Sequence, residues 1–162
     1  MTLERALWLM LPFALIWQSS ELAVLPYFQW RLDPVLALVV LTSMLRGPRI
    51  GAWLGVLAGG CQDLLVGAGL LYAVTKGLAG FVVGMVQPHI YRLDLLSLVM
   101  VGVLATLGEG LLIALYLFAQ GRMAVWDHFA SLSMPVGLAN AALVMLFYLV
   151  LSRFPSQEAR EG

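Results

Sequence analysis

Apolar residues fall into six blocks along this chain, at about 6–25, 34–45, 50–66, 69–88, 95–119 and 134–152, separated by short polar or glycine-containing breaks. A helix crosses a hydrocarbon core of about 30 Å with about 20 residues, within a usual range of about 17–25. Five blocks meet that length easily. The second, Pro34–Leu45, is short and spans only if Trp30–Asp33 lies at the interface or the bilayer thins locally. Pro34 suits a first helical turn, where its missing N–H has no intrahelical partner to lose. The pattern predicts six transmembrane helices, with five plus a re-entrant second segment as the alternative.

Composition turns that pattern into a class. Of 162 residues, 62% are apolar and 11% charged, against about 45–50% and about 25% in a typical soluble chain. One soluble core of this size could not hide so much apolar surface, so the expectation is an all-α polytopic membrane protein. Residues 1–154 form its single transmembrane domain and 155–162 a polar cytoplasmic tail. Met1–Leu9 lacks a separate basic region and a small-residue cleavage site, so the first block is expected to be retained. Nine basic and nine acidic residues balance, leaving no positive excess for nucleic acid. Cys61 has no second cysteine to pair with, and His89 and His128 lack zinc-ligand spacing. A phosphate-binding glycine loop and a Gly-x-Ser-x-Gly elbow are both missing from the sequence. We assign no catalytic residue, no cofactor and no metal.

The arginines set the orientation. With six spans, Arg5, Arg46, Arg49, Arg92, Arg153 and Arg160 share one side, and only Arg31 and Arg122 lie on the other. The positive-inside rule then puts both termini in the cytoplasm. Tyr27, Phe28, Trp30 and Trp126 fall near the outer interface, where aromatic belts form. The outer stretch Gln120–Ser133 carries Trp126, Phe129 and Leu132 at three-residue intervals, which suits either a short amphipathic turn or a plain loop.

Glycines mark the third and fourth blocks. Gly47, Gly51, Gly55 and Gly59 recur every four residues, and Ala73, Gly77, Gly80 and Gly84 follow at steps of four, three and four. Gly102, Thr106 and Gly110 offer the fifth block a similar stripe. Small residues let helix backbones approach closely inside a bilayer. These stripes can serve packing within the chain or the docking of a partner's transmembrane helix.

Most charges sit at the ends of the blocks; Asp63, Lys76 and Glu109 do not. At a rise of 1.5 Å per residue, all three come out roughly 10 Å below the outer surface, and Gln18, Glu21 and Asn140 fall near the same level. An ionisable group at the centre of a span costs at least about 2.5–3.5 kcal/mol, so such groups are usually paired and inward-facing. Adjacent antiparallel helices make Asp63 the expected partner of Lys76. Glu109 then either shares Lys76 or is neutral. The layer can be a structural knot or an outward-facing pocket for a small polar ligand.

The stretch Arg46-Gly47-Pro48-Arg49-Ile50-Gly51, running through Gly55 and Gly59 into Gln62-Asp63-Leu64-Leu65, resembles the rod-shape-determining protein MreD family. There, an arginine-glycine turn leads into a glycine-rich helix that ends in an acidic residue and leucines. A glycine-containing turn and a second small-residue helix follow, matched here by Gly67, Gly69, Gly77, Gly80 and Gly84. The resemblance is most specific over residues 46–84. It implies a six-helix bundle similar to the S-components of energy-coupling-factor transporters, in a non-catalytic subunit of the bacterial inner (cytoplasmic) membrane. It also implies direct association with the bitopic protein MreC. Through MreC the complex includes MreB, the polymerase RodA and its class B penicillin-binding partner, supporting lateral-wall peptidoglycan synthesis and rod shape.

Two other functions stay open. A vitamin-binding S-component would keep an intact outward pocket at the polar layer, whereas a scaffold would fill it with Lys76 and its partners. An intramembrane hydrolase would need Asp63 and Glu109 as paired acids, but the usual Gly-x-Gly-Asp context is missing at Gly59-Gly60-Cys61-Gln62-Asp63.

Overall fold

A computed structural model describes residues 9–18, 32–67, 69–89, 95–122 and 125–153 of the chain. These form six α-helices and no strand. They are α1 (Leu9–Gln18), α2 (Pro34–Arg46), α3 (Pro48–Val66), α4 (Leu71–Val86), α5 (Leu95–Ala119) and α6 (Val125–Leu151), with a 3₁₀ turn at Gln87–His89 after α4. Two stretches, Leu95–Ala119 and Met134–Leu151, are long and apolar enough to cross a membrane. The flanking segments 19–31 and 154–162, which hold Glu21 and the expected tail, lie outside the described residues.

The short second block is the centre of the molecule. Every residue from Pro34 to Met44 is buried, and α2 touches α3, α4, α5 and α6. Met10 and Ala14 of α1 pack against it as well. A helix that is apolar all round belongs inside a structure, and the run Val35-Leu36-Ala37-Leu38-Val39-Val40-Leu41 has that character. Asp33 starts the helix by accepting the Leu36 N–H at 2.7 Å, with Pro34 in the first turn.

Gly47 separates α2 from α3; its backbone lies against Gly84, but its backbone angle, not a crowded Cβ position, is what calls for glycine there. Its φ is +84°, and a Cβ there would meet nothing within 4 Å. Its N–H closes α2 on the Ser43 carbonyl at 2.9 Å, and its own carbonyl accepts from Gly51 N–H at 3.1 Å. The residue reverses the chain between two helices with a backbone angle that L side chains rarely adopt.

Beyond this turn the glycine stripes fulfil the intramolecular expectation. A Cβ on Gly51 would run into Ser43 and the Gly80 carbonyl, one on Gly55 into the Lys76 carbonyl, and one on Gly59 into the Tyr72 carbonyl. From the other side, Gly80 abuts Gly51, Gly84 abuts Pro48, and Gly77 faces Val56. Each turn up α3 meets a turn down α4, so the two helices run antiparallel with their backbones in contact. The stripe offered to a partner helix in one alternative is closed by the chain itself. Gly102 does the same for α5 against Ala141 of α6, where the nearest atom to an added Cβ lies at 3.0 Å.

The sixth helix starts nine residues earlier than its apolar block. It runs from Val125 through Pro135 to Leu151, so Trp126 and Phe129 belong to its first turns and not to a separate interfacial turn or loop. The Trp126 ring lies 5.9 Å from Phe118 of α5 and 6.3 Å from Phe129, edge-on to the latter. Aromatic contact therefore ties the first turns of α6 to the end of α5; Gly121, just after α5, has φ +83°.

Gly60 and Gly108 are helical glycines where an added Cβ meets open space, whereas Gly55 has none. Gly55→Val is expected to abolish folded protein in detergent. Gly60→Ala and Gly108→Ala should each hold or raise the thermal midpoint, by up to about 1 kcal/mol of helix propensity. Thermal unfolding of the three purified variants measures the contrast.

Candidate functional site

The N-terminal ends of α2 and α4 lie at one level of the bundle, and that level holds most of its buried polar atoms. An α-helix leaves its first N–H groups without partners and carries partial positive charge there. Two aspartates answer this. Asp33 caps α2 as described. Asp63, buried near the end of α3, caps α4 from across the turn, with Oδ1 accepting Tyr72 N–H at 3.0 Å and Oδ2 accepting Ala73 N–H at 2.8 Å. The residue before α4, Leu70, supplies no side-chain cap of its own.

This arrangement corrects the expected Lys76–Asp63 pair. Both carboxylate oxygens of Asp63 are engaged by backbone N–H groups. Lys76 turns inward, is fully enclosed, and donates to Asp33 Oδ2 and, at 2.8 Å, to Glu109 Oε1. Helical side chains lean toward the N-terminus, which brings the Lys76 ammonium to the level of Tyr72, 5.7 Å from that ring's centroid. Of the two possibilities for Glu109, the structure realises the shared lysine. Thr75 Oγ1 donates to the same Glu109 oxygen at 3.4 Å.

Asn140 joins the layer from α6. Its Oδ1 accepts the Asp33 N–H at 2.8 Å, and its Nδ2 donates to Thr106 Oγ1 at 3.3 Å. Thr106 in turn donates to the Gly102 carbonyl at 2.9 Å. One connected network thus joins α2, α4, α5 and α6 through Lys76 and Asn140, and α3 abuts it through Asp63 and Tyr72. The depth argument brought Asp63, Lys76, Glu109 and Asn140 together correctly. It missed Asp33, which looked like an interfacial residue at the edge of a short block. The signal was present: Asp followed by Pro before an apolar run is a helix start.

Other expected residues lie elsewhere. Gln62 is buried beside this level, but its Oε1 has no partner, and the half-buried Gln18 has an unpartnered Oε1 too. Gly51, Gly55, Gly59, Gly77, Gly80 and Gly84 form the α3–α4 contact. Arg46 and Arg49 are exposed at the α2–α3 turn. Among the described residues no group of three or more His, Cys, Asp or Glu is placed to hold a metal ion. No protein-family model matches the chain, and no curated protein or solved structure matches it either.

Chemically, the layer is a clasp. Its carboxyls are committed, Asp63 to two backbone donors and Asp33 and Glu109 to one ammonium. Asp63 and Glu109, the two acids a hydrolase reading would pair, have separate partners. Removing one partner of a buried ion pair typically costs about 3–5 kcal/mol, because the remaining charge stays enclosed without compensation.

A double-mutant cycle separates the corrected pairing from the expected one. Lys76→Met with Asp33→Asn should show a coupling energy of at least about 1 kcal/mol, whereas Lys76→Met with Asp63→Asn should be additive within about 0.5 kcal/mol. Denaturation midpoints of the single and double variants supply the numbers. Lys76 is the sole lysine, and its side-chain amine should resist acylation in the folded protein and react after denaturation, as mass spectrometry would read.

Proposed function

We propose that the chain is a six-span scaffold of the MreD type in a bacterial inner membrane, with both termini cytoplasmic, which binds an MreC-like bitopic partner in the cell-elongation complex. The observation that carries the reading is the filled polar layer. A vitamin-binding S-component needs ligand space at this depth. Here Lys76, 0% exposed, occupies it with Asp33, Glu109, Thr75 and Asn140.

Membrane residence draws support from where the apolar surface lies. Only 33% of the most apolar window of α5 and 28% of that of α6 are buried within the bundle, whereas a core helix of a soluble protein would be mostly buried. Trp53, Leu64, Phe81, Leu104 and Leu138 are exposed while Lys76, Glu109 and Asn140 are enclosed. An apolar exterior around a satisfied polar interior suits hydrocarbon as the surrounding solvent. The exposed Arg46 and Arg49, at the end where Gly84 meets Pro48, favour the cytoplasm for that end of the bundle.

The α3–α4 glycine faces are consumed within the chain, so partner contact falls on the exposed apolar faces or on the ends of the helices. Binding MreC brings this protein into the complex with MreB, RodA and the class B penicillin-binding protein, and no catalysis is assigned to it.

Tagging the cytoplasmic C-terminus and purifying from membranes should recover the MreC-like protein of the same cell in stable complex. Disrupting the gene should turn rods into round cells. Recovery of no such partner, together with unchanged cell shape, would count decisively against the scaffold.

A further inference from the structure

The end of the bundle opposite the polar layer carries charge of one sign. Arg46 closes α2 and Arg49 lies in the first turn of α3, both exposed, and the exposed Arg153 follows α6. Among the described residues no acidic side chain shares this end. Asp33 and Asp63 lie about 20 Å away along α2 and α3, at a rise of 1.5 Å per residue, and both are engaged in the bonds already given.

Only Gly47 and Pro48 separate Arg46 from Arg49. This turn is held in place. The Gly47 N–H is bonded to the Ser43 carbonyl, and Gly84 of α4 lies so close to Pro48 that a Cβ there would overlap its Cα. Two guanidinium groups are thus carried by a packed turn between helices. Beside them the next turns of α3 leave an apolar strip, with Ile50 49%, Trp53 69% and Leu57 54% exposed. Trp53 and Leu57 follow Arg49 at four-residue steps, hence on its face of the helix, with Trp53 about 6 Å further along.

A hydrocarbon core is about 30 Å thick. With the polar layer roughly 10 Å from its outer edge, the α2–α3 turn falls at the inner edge, the depth of lipid phosphates. We propose that this turn binds an anionic phospholipid. Arg46 and Arg49 take the phosphodiester, Trp53 meets the ester region, and an acyl chain runs along Trp53 and Leu57. Guanidinium presents planar N–H donors that match phosphate oxygens. The anionic class follows from the charge of the turn. A zwitterionic headgroup would set its own cation against two like charges, with no described carboxylate nearby to receive it. The inference rests on the bilayer-spanning reading given above and is independent of the MreC-like partner.

Native mass spectrometry of the purified chain, titrated with phosphatidylglycerol or phosphatidylcholine of the same acyl chains, reads the site. Phosphatidylglycerol should bind about tenfold more tightly or better, since each arginine near anionic lipid contributes about fivefold. Arg46→Gln with Arg49→Gln should abolish that preference, whereas Arg153→Gln, at the same end, should keep it. Thermal midpoints in phosphatidylcholine should match across these variants. If the double variant does not fold, Arg49→Gln alone should lower the preference about fivefold. Three results would each overturn the lipid site while leaving membrane residence intact: equal binding of both lipids by the unaltered chain purified from membranes, an equal loss in Arg153→Gln, or displacement of phosphatidylglycerol by millimolar inorganic phosphate. Recovery of the chain in the soluble fraction without lipid would overturn the bilayer reading, and this inference with it.

Discussion

A single ammonium held between two carboxyls constrains everything else in this bundle. Lys76 has no exposure, and its partners come from the start of α2 and from the C-terminal half of α5. A charge so enclosed is tolerated only with its partners in place. The positions of α2, α4 and α5 are thereby fixed relative to one another at one level. Asp33 carries three of these duties at once: it caps its own helix, binds the lysine, and offers its N–H to Asn140 of α6. Few residues in the chain are so heavily committed.

The glycines create the conditions under which that clasp can close. With backbone against backbone along α3 and α4, the hairpin becomes thin enough for α2 to be enclosed rather than pushed to the outside. Asp63 then reaches across the thin hairpin to the first N–H groups of α4, which would otherwise be bare. In the bilayer-spanning reading both features answer the same physics. Hydrocarbon gives helices little reason to associate, so close packing and internal polar bonds must supply it. A filled polar layer is what the proposed scaffold reading rests on, because the side chains that could greet a ligand are occupied with one another.

Much of this was legible in the sequence, and the failures have a common cause. A rise of 1.5 Å per residue sufficed to bring Asp63, Lys76, Glu109 and Asn140 to one depth, and four-residue spacing sufficed to find the α3–α4 contact. Depth says nothing about rotation around a helix axis, however. Asp63 and Lys76 are level on neighbouring helices, yet the aspartate faces the α4 backbone while the lysine faces the interior. Backbone N–H groups at a helix start are invisible to an argument that counts only charged side chains. Asp33 escaped notice for a related reason: at the border of an apolar block a charge looks solvent-exposed, although every residue of its block from Pro34 to Met44 is buried. Gly47 shared the spacing of its neighbours but not their purpose, since periodicity cannot tell a packing glycine from one that turns the chain. The early start of α6 comes with aromatic contacts to α5; the three-residue spacing of Trp126 and Phe129 allowed a helical turn there but could not place it against Phe118.

The central claim is that Lys76 binds Asp33 and Glu109 together, inside a bilayer-embedded bundle. Because the chain has one lysine, solid-state NMR on protein in lipid bilayers can observe its Nζ nitrogen without ambiguity. With nitrogen-15 lysine and carbon-13 side-chain carboxyls of aspartate and glutamate, Nζ should be dephased by one carbon of each type. The aspartate contribution should vanish in Asp33→Asn and persist in Asp63→Asn. Loss of the aspartate contact in Asp63→Asn, with its retention in Asp33→Asn, would contradict the account.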